Sequence, residues 1–509
     1  MKEDWVEEKL GNIFFTTSGG TPSRRNSDNY KGNIPWVKSG ELEKGIIYDT
    51  EEKISQKGLK NSSAKLFPKG TLLIALYGAT IGKLAFLGIE AATNQAICGI
   101  FKNENIKSEF LFYFLKFKKQ KLISQATGGA QPNISQSILK RLEFPLPPLP
   151  IQRAIVTKIE NLFASLDKGI EDLTKAREQL KVYRQAVLKK AFGGELTKEW
   201  REKQNKLPTA EELFDEITIE RQNYYEQQIK NWEKDVRVWE ENKKESKKPS
   251  SPKKFKMQSP LTPEELSLLP ELPKDWSWVR TGDTVFDTND DIVDGPFGSN
   301  LKNSDFTEDG VVPVIGISNI DEGFKTKIRY VTKEKFKTIS RSAVFPGNII
   351  VAKIGSSYGK TGIYPEWMPT GLIPANLLRI NPSSFFKREL LVWYLNSFMF
   401  KRRLDMIMKS TAQPAFNVSA FKHLPIPFMS KEEQHQIVRA IESRLSVCDK
   451  LEQSINEGLE KAEALRQSIL KKAFEGKLLS ETEIEKCKQE ADYEPASVLL
   501  ERIQKEKKK

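Results

Sequence analysis

The chain is written twice. Segments 282 residues apart match without gaps: Gln152, Ile155 and Val156 in IQRAIV against Gln434, Ile437 and Val438 in EQHQIV, and LKKAFGGEL (188–196) against LKKAFEGKL (470–478). Other matches follow in the same order. IPWVKSGEL (34–42) pairs with VPVIGISNI (312–320), FPKGTLLIALYGATIGK (67–83) with FPGNIIVAKIGSSYGK (345–360), GGAQPNIS (128–135) with STAQPAFNVS (410–419), and FPLPPLP (144–150) with LPIPFMS (424–430). Even the tails LPTAEELFDEI (207–217) and EPASVLLERI (494–503) agree weakly. At 509 residues the chain exceeds one core. A repeat of this period means one plan used twice.

Each copy has two parts of different kind. Residues 1–148 and 272–428 hold short apolar runs such as TLLIALYG, AICGIF, NIIVAK and ANLLRI, punctuated by Gly, Pro and Asn. They read as β-rich domains with a few helices. FLFYFLKFKKQKLISQAT (110–127) and ELLVWYLNSFMFKRRLDMIM (389–408) are helix-length with a basic end, and read as buried helices packed on the sheets. Residues 149–200 carry apolar or small side chains at Ile155, Ile159, Leu162, Leu166, Ile170, Leu173, Ala176, Leu180, Tyr183 and Val187, in steps of three and four. Ile437, Ile441, Cys448, Ile455, Ala462, Leu465 and Ile469 repeat the stripe in 429–480. This spacing predicts a helix seam near the 3.5-residue repeat, stopped at Gly193–Gly194 and at Gly476. A helix of about 40 residues spans roughly 60 Å and cannot cover its own stripe. The expectation is an α+β fold: two β-rich domains joined by two long antiparallel coiled-coil helices, as a pseudo-two-fold internal repeat with the domains at opposite ends. Pairing of each helix with another chain is the alternative. Residues 201–271 form a helical extension with Phe214, Tyr224, Tyr225, Trp232 and Trp239, then a Lys/Ser/Pro linker read as a mobile tether rather than a DNA clamp. Residues 481–509 form a C-terminal tail.

Lys and Arg outnumber Asp and Glu by 81 to 68, and the excess sits in the β-rich blocks: +7 over 1–150 and +5 over 272–430. Two separate basic blocks point to a polyanion, since each neutralised phosphate releases a counterion. Solubility is the alternative. No apolar run reaches membrane-spanning length, and MKEDWVEEKL has no apolar signal core, so a cytoplasmic protein without a membrane partner is expected. Cys98, Cys448 and Cys487 are too scattered for a disulfide framework or a zinc site. Catalytic signatures are missing too. The two histidines, His423 and His435, have no metal-spaced companions, and NPSSF (381–385) lacks the second proline and the Gly-rich strand of a methyltransferase. GATIGK (78–83) and GSSYGK (355–360) fall one residue short of a phosphate-binding loop. Either they present Thr80, Lys83, Ser357 and Lys360 to DNA, or they are plain β-turns. The chain reads as a binder with no metal and no cofactor of its own.

The ordered set of motifs resembles the specificity (S) subunit of type I restriction–modification enzymes. SGGTPSR (18–24), GNIPWVKSGEL (32–42), GATIGK (78–83) and ATNQAI (92–97) resemble segments of their target recognition domains, as do DGPFGSNLKNSDF (294–306) and GVVPVIGISNI (310–320) in the second copy. LPPLPIQRAIV and the LKKAFxGxL ends resemble their spacer helices. The resemblance covers nearly the whole chain apart from about 200–271. It implies two target recognition domains, 1–148 and 272–428, each reading one half of a split, asymmetric double-stranded DNA sequence. The helices 149–200 and 429–480, the central and C-terminal conserved regions, would set the gap. Two modification (M) subunits carrying S-adenosylmethionine would methylate an adenine in each half. Restriction (R) subunits would cut DNA using ATP and Mg. None of that chemistry belongs to this chain. A fused methylase–nuclease partner is a variant of the same reading.

Readers of base edges are amides, hydroxyls, Arg and Lys on loops. The candidates are Thr21, Ser23, Arg24, Arg25, Lys38, Thr80, Lys83, Gln131 and Asn133 in the first domain. In the second they are Ser299, Asn300, Lys302, Ser357, Tyr358, Lys360, Gln413 and Asn417. Ile155, Ile159, Leu162, Leu166, Leu173, Leu180, Val187, Ile437, Ile441, Ile455, Leu465 and Ile469 are the helix-packing candidates. A structural coiled-coil assembly protein that binds DNA non-specifically is the competing class.

Overall fold

A computed structural model describes residues 4–126, 132–242, 248–254, 258–296, 298–321, 323–325, 328–408 and 414–508. It comprises two compact units: Met1–Lys175 with Ser454–Lys509, and Ala176–Gln453. Each unit holds one β-rich domain and one part of each of two 44-residue helices, Leu149–Phe192 and Lys431–Phe474.

In the first unit a five-stranded sheet runs Thr16–Ser18, Ile97–Ile100, Leu72–Ala75, Leu84–Leu87, Ile46–Ile47. A four-stranded sheet runs Glu52–Ile54, Ile34–Val37, Ala91–Thr93, Leu66–Phe67. Val6–Lys9 pairs antiparallel with Glu143–Leu146. The second unit repeats the plan with Ile292–Asp294, Leu377–Ile380, Ile349–Ala352 and Thr361–Ile363 in one sheet. Arg329–Val331, Val312–Val314, Gly371–Leu372 and Ala343–Val344 form the other, and Ser277–Arg280 pairs with Pro425–Phe428. All four residues of Leu72–Ala75 and of Ile349–Ala352 are buried, which is why these stretches are uniformly apolar rather than alternating. The helix Ser108–Ser124 buries Phe110, Leu111, Phe114 and Leu115. Phe110 and Phe114 lie 5.2 and 5.5 Å from the Phe474 ring, on the second long helix.

The matching segment 389–408 is not the single helix expected. It breaks into Arg388–Leu395 and Phe398–Met406. Asn396 turns its amide to the backbone of Thr361, accepting from N at 3.1 Å and donating to O at 2.9 Å, and the Ser397 hydroxyl caps the second piece through Phe400 N at 3.2 Å. Both side chains compete with helical hydrogen bonding, and here they win.

The repeated residues have visible work. Gln152 accepts from Lys107 N at 3.0 Å and donates to Pro147 O at 2.9 Å. Gln434 accepts from Lys387 N at 2.7 Å and donates to Phe385 O and Met429 O at 2.8 and 3.0 Å. Each buried amide therefore pins a helix start to its β-rich domain. At the helix ends, Gly194 and Gly476 take φ of +75° and +71°. The following amides, Glu195 N and Lys477 N, close back onto Lys190 O and Lys472 O at 2.9 and 2.7 Å, the glycine-ended cap expected at such a stop.

Within each unit the two helices run antiparallel. In the first, Arg466 pairs with Asp167, and Leu173 sits where a side chain on Gly458 would meet it at 3.1 Å. In the second, Arg184 Nη2 reaches Asp449 at 2.7 Å and Glu452 at 2.9 Å. Residue numbers rise on one helix as they fall on the other. The Arg–Asp pairs are themselves copies, 282 residues apart. The seam differs from a continuous apolar stripe. Ile155, Ile159, Val187, Ile437, Ile441, Ile455 and Ile469 are buried, whereas Leu162, Leu166, Leu173 and Leu180 are half-buried, and no residue from 164 to 186 is buried. Leu465 is not buried; it is 49% exposed. Its neighbour Arg466, 25% exposed along its side chain, takes the inward place and carries the cross-helix ion pair to Asp167.

Both tails dock as helices. Ala496–Lys508 buries Leu499 and Ile503 on the first domain, with Asn105 Nδ2 donating to Glu506 at 2.6 Å. Ala210–Glu241 buries Leu213 and Ile217 on the second, and its Arg221 donates to Asp283 O and Val285 O at 3.0 and 2.8 Å. The weak tail similarity thus marks a shared docking mode. Beyond Arg221 this helix stacks Tyr224 on Phe286 at 5.5 Å, and Trp232 donates to Pro249 O at 3.0 Å. The described part of the linker therefore packs against the helix, where a free tether was expected. Among the described residues no helix is long and apolar enough to cross a membrane.

Candidate nucleic-acid interface

Both β-rich domains build the same loop pair. After the buried strand Leu72–Ala75, the chain turns with Ile81 N bonded to Gly78 O, Lys83 N to Thr80 O, and Gly82 N to Ala75 O. After Ile349–Ala352, Tyr358 N bonds to Gly355 O, Lys360 N to Ser357 O, and Gly359 N to Ala352 O. Gly82 and Gly359 take φ of +76° and +81°, so glycine is what lets the chain re-enter the sheet there. These are hairpin turns, not phosphate cradles opening a helix. A second segment lies against each turn. Gly78 N donates to Pro132 O at 2.8 Å with Tyr77 bridging Asn133, and Gly355 N donates to Pro414 O at 2.9 Å with Ile354 bridging Ala415.

The structure thus gathers Thr80, Lys83 and Asn133 in one domain, and Ser357, Tyr358, Lys360 and Asn417 in the other. Gln131 and Gln413 lie outside the described residues. Several gathered side chains are already engaged. Thr80 donates to Tyr77 O at 2.8 Å, Lys83 pairs with Glu43, and Tyr358 donates to Asp405 at 2.6 Å under the Lys401 ammonium, 4.1 Å from its ring. Lys83 holds the exposed Glu43 carboxyl below its usual range, and the Asp405 contact pushes the Tyr358 hydroxyl up. Asn417 is exposed but caps Val418–Lys422 through Ser419 N at 2.7 Å.

A second cluster holds Thr21, Ser23, Arg24, Arg25 and Lys38. Arg24 reaches Glu52 at 2.6 Å and stacks on Tyr30 at 4.2 Å, while Lys38 reaches Glu51 and Glu52 at 2.7 and 3.2 Å. Hydrogen bonding to these cations keeps the Glu51 and Glu52 carboxyls low. Thr21 donates to Gln95, and Ser23 and Arg25 are exposed. In the second domain Ser299, Asn300 and Lys302 are exposed on two short 3₁₀ turns, Gly298–Asn300 and Asn303–Asp305.

Sequence reasoning passed over one feature. A cleft of about 340 Å³ beside the first turn is lined by Lys83, Lys116, Lys119 and Arg466, with Glu43 and Glu463. Burial, then Arg466 and Lys119, push the Lys116 ammonium below its usual range. The signal was the basic run in FLKFKKQK, which the packed-helix reading absorbed. Elsewhere chemistry is sparse. Burial pushes the Cys98 thiol up to about 12, far from a reactive thiolate at neutral pH. Among the described residues no group of three or more His, Cys, Asp and Glu side chains could hold a metal ion.

Comparison with known proteins adds three findings. The family described as type I restriction modification DNA specificity domain matches residues 2–175 and 284–461. The EcoBI specificity subunit of Escherichia coli is 25% identical over 515 residues, covering 100% of this chain and 93% of that protein, and the EcoKI specificity subunit of Escherichia coli strain K12 is 23% identical over 524 residues, covering 100% and 96%. A solved chain reported under "Structural basis underlying complex assembly and conformational transition of the type I R-M system" shares the fold at a TM-score of 0.65 and 18% identity, over 94% of this chain and 99% of that one.

Proposed function

Since this chain belongs to the type I restriction–modification DNA specificity family, we propose that it reads a bipartite, asymmetric double-stranded DNA sequence, one β-rich domain per half-site. The observation that carries this reading is the loop pair built twice on the same backbone hydrogen bonds but furnished differently. Thr80, Lys83 and Asn133 stand in one copy, and Ser357, Tyr358, Lys360 and Asn417 in the other. Equal scaffolds with unequal donors and acceptors read unequal base edges. One half-site of three or four pairs discriminates weakly at about 1–3 kcal/mol per pair. Two tied readers combine their selectivity.

The helix pair sets the unread gap, because a 44-residue helix is a rod of about 66 Å. In the second unit its outer face shows Val182, Tyr183, Val447 and Leu451, between 48% and 71% exposed, an apolar surface suited to one of two modification subunits. Those subunits carry S-adenosylmethionine and methylate an adenine in each half, and restriction subunits with ATP and Mg cut; this chain directs them without catalysing either step. Selection of randomised duplexes by the chain with its modification partner tests the reading. A split motif with a fixed gap is expected, and a flat profile would leave a non-specific assembly protein.

A further inference from the structure

The two places where tails dock are built to the same plan with opposite chemistry. In the second unit the tail that follows the first long helix meets the start of the second. There Glu433, 1% exposed, accepts from Thr197 Oγ1 at 2.7 Å, Arg201 Nε and Nη2 at 2.9 and 2.8 Å, and Trp276 Nε1 at 2.7 Å. In the first unit the tail that follows the second long helix meets the start of the first. The position equivalent to Glu433 is Ile151, and that equivalent to Thr197 is Leu479; both are buried, as is Trp5, which opens this domain as Trp276 opens the other. The position equivalent to Arg201 is Glu483, which takes Lys158 at 2.7 Å. Arg153, replaced in the other copy by His435, reaches Glu490 and Asp492 at 2.6 and 2.7 Å.

We propose that these junctions form a pairing code, so that each half of the chain accepts the other half's tail and rejects its own. The surface beside Glu433 fits a tail carrying Thr and Arg at the two key positions. The surface beside Ile151 fits a tail carrying Leu and Glu, with two more carboxylates downstream. If two N-terminal halves paired, Arg201 would arrive beside Lys158, Thr197 would lie against Trp5 and Ile151, and Arg153 would lose both partners. If two C-terminal halves paired, Glu483 would arrive beside the buried Glu433 with no arginine to neutralise either. In the C-terminal homopair like charges meet at the buried Glu433 with no cation beside them, which disfavours that pair at least about a hundredfold; because the two halves are present in equal numbers, few N-terminal homopairs can then be left over. The partner is therefore a chain, or a piece of one, with one recognition domain and the complementary tail. This rests on the junctions alone and stands whether or not the domains read DNA as proposed.

The test starts from the intact chain with a protease site inserted between the exposed Lys253 and Lys254, purified whole and then cut. The cut protein is unfolded in urea, refolded together with an isotopically heavy copy, and weighed by native mass spectrometry. Pairs of one N-terminal with one C-terminal half are expected, light and heavy freely mixed, with homopairs near or below about one in a hundred. Homopairs at the statistical half of all pairs overturn the proposal. A second measurement needs no refolding: in the uncut chain Arg201→Glu lowers the unfolding midpoint, and adding Glu433→Arg restores part of it, the Trp276 indole N–H still lacking its acceptor. An Arg201→Glu chain as stable as the parent would equally overturn the code.

Discussion

Replacing Glu433 by isoleucine, the residue its own repeat uses at the equivalent place, is expected to be among the most damaging single changes in the second unit. The carboxylate is 1% exposed and accepts four hydrogen bonds from three side chains. Isoleucine fills much of the volume, so the loss is not a cavity. It is the stranding of the Arg201 guanidinium, 15% exposed, together with the Thr197 hydroxyl and the Trp276 indole N–H. Breaking a buried ion pair from one side costs about 3–5 kcal/mol, and for a unit of this size each kcal/mol lowers the midpoint by roughly 2–4 °C. The expected fall is therefore on the order of 10 °C. Fluorescence-detected thermal unfolding would follow it, since Trp276 sits in the cluster. The triple change Glu433→Ile, Thr197→Leu, Arg201→Leu removes two of the three donor side chains with the acceptor, leaving the Trp276 indole N–H, and rebuilds the apolar character of the Ile151 junction, where Trp5 stands in the same place. Replacing a whole buried pair by apolar groups is often neutral, so most of the midpoint returns. A Glu433→Ile chain as stable as the parent, or a triple variant as damaged as the single one, would refute the reasoning.

Three further outcomes are expected. Glu483 is held down at about 2 by Lys158 and by the backbone and hydroxyl of Ser480. Its folded value lies below the ordinary carboxylate value, so its stabilisation is full above about pH 4.5 and fades as pH falls toward 2. The midpoint difference between parent and Glu483→Gln should shrink over that window, and a difference constant from pH 7 to 2.5 would contradict it. Inserting one heptad into each helix, between residues 164 and 186 and at the facing register, adds about 10 Å to the rod, or about three base pairs at 3.4 Å each. Mapping modified adenines should show a longer gap with both half-sites intact; an unchanged gap would show that the helices are not the ruler. Exchanging Thr80 and Lys83 for other side chains should alter preference in one half-site only, and exchanging Ser357 and Tyr358 in the other only, as read by duplex selection. A change spread over both halves would count against one reader per domain.

The repeat, the β-rich blocks and the long helices were legible because each leaves a periodic or duplicated mark. Leu72–Ala75 and Ile349–Ala352 are all-apolar because they are covered on both faces, and Gln152 and Gln434 recur because a helix start must be pinned twice. What periodicity could not show was where a stripe yields to a charge. Leu465 and Arg466 are adjacent, and either could face the partner helix in a pattern counted by threes and fours. The choice falls to Arg466 because Asp167 stands opposite. Nor could composition show that Asn396 and Ser397 would leave their helix, since the competing acceptor and donor on Thr361 come from a distant strand. Loop residues were legible as a set more than one by one. The turn glycines fixed where the hairpins lie, but the partners of Lys83, Arg24 and Lys38 come from Glu43, Glu51 and Glu52, brought near by the sheet. The cleft of Lys116, Lys119 and Arg466 joins residues some 350 positions apart.

Duplication alone would leave a chain whose halves could pair with themselves. The hairpins, the amide pins and the glycine caps are kept alike in both copies because backbone geometry asks the same of each. The divergence collects at two kinds of place. One is the turn side chains, whose identities the backbone bonds do not constrain, so they can change without refolding the domain. The other is the junction, where Ile151 faces Leu479 in one copy and Glu433 faces Arg201 in the other. Freedom at the first is useful only if the second is strict. Two unlike domains remain a defined pair when like halves are refused, and a charge buried at one junction and absent from the other is a direct physical means of refusing them.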